Sequence, residues 1–109
     1  MLDPVFSPDG KHVAAVTRGD GAWGIAVDGK PWPVSFDMVW DPVFNPAGDR
    51  VLAKVEKDGC YGVAVDGRLG AKRYEQLWDP VFSPDGTKVL VRAVEDGKCV
   101  RRVVSVDAL

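Results

Sequence analysis

The feature that most limits what this chain can become is an internal repeat. LDPVFSPDG starting at Leu2, WDPVFNPAG starting at Trp40 and WDPVFSPDG starting at Trp78 begin 38 residues apart in both steps. A second match stays in step behind the first, because GAWGIAVDG from Gly21 to Gly29 answers GCYGVAVDG from Gly59 to Gly67. Two matches in one register identify a tandem duplication, with copies at 2–39, 40–77 and 78–109 of a single domain spanning 1–109. A unit of this length is one supersecondary element, and it buries its apolar face by stacking on a copy of itself.

Inside each copy the signals are those of short strands and tight turns. Val5 and Phe6 read as a first strand closed by Ser7-Pro8-Asp9-Gly10, with the Asp-Gly pair suited to positive φ. His12 to Thr17 reads as a second strand, matched by Arg50 to Val55 and Lys88 to Val94. Its central Val, Ala and Leu residues suit a strand covered on both faces. Gly19-Asp20-Gly21 returns the chain into a third strand, Trp23 to Val27, repeated as Tyr61 to Val65. Asp28-Gly29 leads to a fourth, around Trp32 to Phe36 and again Ala71 to Leu77. Pro4, Pro42 and Pro80 open the first strand and Pro8, Pro46 and Pro84 end it, where a missing N–H harms a ladder least. Four strands in one such period fit a blade of a β-propeller, and no segment has helical spacing.

The predicted fold is therefore all-β, with three consecutive four-stranded antiparallel blades. The third copy departs from the pattern. It replaces the Trp/Tyr-Gly start of the third strand with Cys99-Val100, and its Val103-Val-Ser-Val-Asp107 matches Val-Asp-Gly only with an insertion of about three residues. It also reaches Leu109 before any fourth strand, so the last blade is expected to lack its outer strand. An abrupt start at a first strand and a missing fourth strand read as the boundaries of an excised or engineered segment.

The repeated WDPVFSPDG followed by a β-branched strand resembles the propeller repeats related to WD-repeats and found in TolB-like proteins, over nearly the whole chain. That resemblance implies a partner-binding propeller whose binding loops vary. Trp23-Gly-Ile-Ala-Val-Asp-Gly-Lys-Pro-Trp32, with its echo from Tyr61 to Gly67, is also similar to the tryptophan-rich propeller subunit of a transmembrane electron-transfer complex of sulfate-reducing bacteria. This narrower similarity implies a cytoplasmic scaffolding role without a cofactor of its own.

Propellers close with about four to eight blades, so three blades leave two flanks bare. A head-to-tail homodimer closing a six-bladed ring is expected, and a nine-bladed trimer lies outside the usual range. Arg101, Arg102 and Ser105 are placed to blunt the outer edge of the third blade; strand exchange between subunits would seal the same edge.

Charge narrows the partners. A formal net charge of −2 with 28% charged residues of both signs provides no basic field for nucleic acid, and no apolar stretch is long enough to cross a membrane as a helix. The small basic cluster of Lys98, Arg101 and Arg102 reads as a solvated edge. Cys60 and Cys99 stand at non-equivalent positions outside any metal-binding spacing and are expected to be free thiols, which favours a reducing compartment.

The most site-like feature is the recurrence of Asp3, Asp41 and Asp79 beside proline, which in a closed ring would place carboxylates around one channel mouth. They are read either as a cation-binding or polar partner-binding mouth or as turn carboxylates bonded to backbone amides; reuse of turn residues in every copy favours the second. Trp40 and Trp78 are expected to wedge between blades, and Trp23, Tyr61 and Trp32 to add core or interface area, with Trp32 the best interface candidate. His12, the lone histidine, aligns with Arg50 and Lys88 and so reads as a polar surface position. No catalytic set, metal ligand set or phosphate-binding loop is legible, so the chain reads as a non-enzymatic scaffold without cofactor that binds itself and another protein. The rival reading is a propeller that binds a small molecule or glycan in its channel or inter-blade loops.

Overall fold

The computed structural model describes residues 4–109. Its strands form three antiparallel sheets in chain order. The first contains β1 (Val5–Phe6), β2 (Val13–Gly19), β3 (Ala22–Val27) and β4 (Lys30–Pro31), paired in that order. The second contains β5 (Met38–Val39), β6 (Val43–Phe44), β7 (Val51–Lys57), β8 (Cys60–Val65) and β9 (Arg68–Tyr74). The third contains β10 (Gln76–Leu77), β11 (Val81–Phe82), β12 (Lys88–Glu95) and β13 (Lys98–Ser105), and a 3-10 turn, Val106–Ala108, follows it. The hairpins are set by Asp-Gly pairs: Asp20, Asp28, Asp58, Asp66 and Asp96 have φ between 48° and 54°, and the glycine after each is also positive. Two consecutive positive φ values define the tight turn whose twist matches that of paired strands.

The inner strand of a sheet is one strand interrupted by a bulge. β5 and β6 both pair with β7: Val39 faces Val55 and Val43 faces Leu52, so the inner strand advances four residues while β7 advances three. The third sheet repeats this, with Leu77 facing Ala93 and Val81 facing Leu90. The extra residue falls at Trp40-Asp41-Pro42 and Trp78-Asp79-Pro80, where proline's missing N–H leaves no ladder bond unmade. Trp40 and Trp78 keep one bond each, their N–H donating to the carbonyls of Lys54 and Arg92. Because side chains alternate, Val39 and Phe44 would point to opposite faces of an unbroken strand. The bulge turns both to the face that meets the preceding sheet.

That alternation gives every sheet a leading face, toward the preceding sheet, and a trailing face, toward the next. Val16, Ile25 and Phe36 on the trailing face of the first sheet pack against Val39, Ala53, Val55 and Ala64 on the leading face of the second. Leu52, Val63, Val65 and Tyr74 on the second sheet pack against Leu77, Val89, Val91 and Ala93 on the third. Among the described residues no core cluster joins the first sheet to the third. Sheets therefore stack in sequence, giving a body 38 × 36 × 20 Å.

Three local expectations are revised. The fourth strand of the first copy is only Lys30–Pro31, and Phe36 returns to bridge Trp23 after a non-strand stretch containing Trp32 and Pro33. Of the segment Ala71 to Leu77, the part to Tyr74 lies in β9 while Gln76 and Leu77 already pair with β12 of the next sheet. The third copy needs no insertion: Leu90 faces Val103 as Leu52 faces Val65. β13 instead runs past the point where β8 turns, and its end folds back on the second sheet. There Val106 is buried, Arg68 donates to the carbonyl of Leu109, and a Cβ on Gly70 would stand 2.9 Å from the Val63 carbonyl oxygen. Sheet order and burial make Leu52 a strong test: Leu52→Ala should cost about 2–5 kcal/mol by urea denaturation, because its side chain is sealed between two sheets that cannot both collapse onto the void.

Candidate functional site

The bulges position the most site-like group. Asp41 and Asp79, one repeat apart, are both exposed and line one cavity of about 150 Å³ with Trp40, Val43, Lys54 and Pro80, between the inner strands of the second and third sheets. Among the described residues neither carboxylate has a hydrogen-bond partner, so the amide-bonding role considered for them is not seen; Asp3 lies outside the described residues. Lys54 forms the wall. Its Nζ lies 4.4 Å from the centre of the Trp40 ring and 5.3 Å from that of Tyr61, and the two rings are 5.8 Å apart. A cation over two aromatic faces is held without a carboxylate, leaving Asp41 and Asp79 available to a ligand. Among the described residues no three His, Cys, Asp or Glu side chains converge as a metal site.

The other aromatics take distinct places. Trp23 lies on the trailing face of the first sheet with the Arg18 guanidinium 5.1 Å from its ring. Trp32, half-buried, packs into the clusters between the first two sheets, and a Cβ added to Gly67 would meet its ring at 3.7 Å. Trp78, the counterpart of Trp40, is 50% exposed and borders an open cavity with Arg92, Cys99 and Arg101. Cys60 and Cys99 are free and exposed.

Carboxylates at the turns do the work of fastening strands. Asp28 accepts from the Val13 N–H at 3.0 Å and lies 2.7 Å from His12 Nδ1. Asp66 accepts from the Val51 N–H at 3.0 Å and from Arg50, whose Nη2 also reaches Asp107 of the third copy at 3.1 Å. His12 and Arg50 are thus equivalent strand clasps. In the Ser-Pro-Asp-Gly turn of the third copy, Asp85 accepts from Ser83 Oγ at 2.6 Å, from the Thr87 N–H at 3.0 Å and from Thr87 Oγ1 at 2.8 Å. These bonds, the Ser83 hydroxyl first, hold its pKa down to about 2. Asp9 is lowered chiefly by Ser7, and Asp28 chiefly by the Val13 amide.

Sequence comparison alone passed over Lys54 and Arg92. The available signal was the column Val16, Lys54, Arg92 at the repeat spacing, in which the first copy is neutral and the later two are cationic. Glu95 and Lys72 also went unread: Glu95 of β12 holds Arg102 at 2.6 Å and Lys72 at 3.0 Å across the gap between β13 and β9.

No protein-family model and no curated protein sequence matches this chain. Among the described residues no helix is long and apolar enough to cross a membrane.

Depressed carboxylates set the expected acid response. Each lowered group stabilises the fold above its unfolded pKa, and that stability is lost as pH falls through the folded value. The melting temperature should hold steady down to about pH 4.5 and fall below about pH 4, as Asp85 protonates toward its folded value of about 2 and Asp9 and Asp28 gain protons below the ordinary carboxylate range. Asp85→Asn should melt lower at pH 7 and show a shallower drop; an unchanged acid limb would remove this turn from the account.

Proposed function

We propose that the protein is a non-catalytic, self-assembling interaction module: its three sheets are propeller blades, and two chains joined head to tail make a six-bladed ring that serves as a scaffold for another protein. The observation that carries this is the phenylalanine that recurs in every copy. Phe44 packs into the cluster with Ala14 of the preceding sheet and is 9% exposed, and Phe82 packs against the cluster on the second sheet. Phe6 holds the same position on the first sheet and is 63% exposed, with no preceding sheet among the described residues to receive it. The opposite flank mirrors this vacancy. Val65 is fully buried beneath the third sheet, whereas its counterpart Val103 is 66% exposed, beside exposed Val81 and half-buried Leu90.

The two bare flanks are complementary by descent, since the contact each lacks is one that the chain already makes twice internally. Phe6, Val13, Ala15 and Thr17 of one copy correspond to the residues that cover Leu52 and Val65, and would cover Leu90 and Val103 of another. Arg92 is compatible with a covered flank because it occupies the position of Lys54, with Trp78 offering the ring that Trp40 offers Lys54. Contiguous apolar flanks of this kind favour association, and a heterologous contact that closes on itself yields a ring.

Light scattering on a chromatographed sample tests the reading. A mass twice the 11.8 kDa of the chain is expected at micromolar concentration, with Phe6→Glu returning it to one chain mass. A monomer in the parent sequence would remove self-assembly, and a tripled mass would replace six blades with nine.

The cavity lined by Asp41, Asp79 and Lys54 favours one further reading, capture of a small polar ligand or glycan. A true ligand among simple sugars would raise the melting temperature in proportion to the logarithm of its concentration, an effect that Asp41→Asn with Asp79→Asn removes; no rise across such a set retires the idea.

A further inference from the structure

We infer that the free edge of β13 is a docking site for an acidic extended peptide, which adds to the third sheet as its outermost strand. In the second sheet the equivalent edge, that of β8, is occupied by β9 from Arg68 to Tyr74. In the third sheet β13 pairs with β12 along all eight of its residues, and among the described residues nothing pairs with its other side. A row of main-chain donors and acceptors is therefore available to a further strand.

The space for that strand exists. Between β13 and β9 lies a cavity of about 370 Å³ whose apolar lining includes Val63, Tyr74, Val104 and Leu109, with Lys72 and Arg102 beside them. Side chains on one face of an incoming strand would enter it, and alternation sends the rest to the trailing face. The groove therefore selects apolar residues at every second position, since its two cations already share Glu95.

Charge selects the other positions. Arg92 and Arg101 stand directly opposite each other on β12 and β13, and among the described residues neither is paired with a carboxylate. Like charges in facing positions of an antiparallel pair repel. A Glu or Asp on the added strand beside Arg101 relieves that repulsion through a charge-assisted contact. The same arginines disfavour edge-to-edge pairing with a second β13, so they reject a cationic strand and admit an acidic one.

The test uses the whole chain and a capped, fluorescently labelled decapeptide of alternating Glu and Val. Polarisation should rise saturably on titration. Two control peptides define the mode: one with Lys for Glu, and one with a central Pro that interrupts main-chain pairing. Both should bind at least about tenfold more weakly, as loss of the charge contacts or of the ladder bonds requires. Arg101→Glu should weaken the parent peptide by a similar factor, while Arg101→Lys restores most of it. Equal binding of the proline peptide would reduce the site to nonspecific charge attraction and overturn the inference, as would no binding at all. Phe6→Glu separates this site from self-assembly, since it removes the flank contact and should leave peptide binding intact.

Discussion

An antiparallel sheet of four short strands has two faces, and each is stabilised by being covered when its residues are Val, Ala, Leu and Phe. Among the described residues each sheet hides its faces only against its neighbours in the chain. The second sheet, covered on both sides, has fully buried Leu52, Val55, Ala64 and Val65. The first and third are each covered on one side. Burial of apolar area at roughly 25 cal/mol per Å² is the dominant favourable term, so the middle sheet anchors the molecule and the outer two depend on it.

The inner-strand bulge makes this stacking possible. Without it Val39 and Phe44 would compete for opposite faces, and one of them would leave the cluster it completes. The same bulge presents Asp41 and Asp79 at the inner edge and sets Trp40 over Lys54. A backbone irregularity placed at Asp-Pro thus serves packing and site together, and its recurrence in the third sheet accompanies the unchanged Trp-Asp-Pro-Val-Phe of both copies.

The third copy is where the pattern is modified. β13 extends beyond the turn point of its counterparts, and its end closes over the second sheet through Val106, Asp107 and Leu109. Its two faces differ as well. The leading face joins the core through Val89, Val91 and Ala93, whereas the trailing face carries Arg92 and Arg101 beside exposed Val103. That mixture gives the flank and the edge different chemistry, apolar toward a further sheet and cationic toward a further strand.

The repeat, the Asp-Gly turns and the alternation of apolar residues were legible from residue order, because each is a local rule: positive φ favours Asp-Gly, and period two defines a strand. All-β antiparallel architecture follows from those rules. The bulge was not legible, since Pro42 is compatible with a strand start as well as with an interruption and only pairing to β7 distinguishes them. Trp32 and Phe36 looked like a strand until their partners were known. The column of Val16, Lys54 and Arg92 marked a change in the face without saying which neighbour it meets. Tertiary structure alone decided that Phe6 and Val103 are exposed while Phe44 and Val65 are buried, because exposure depends on whether a second sheet is present, and identical residues in identical turns carry no record of what lies beside them.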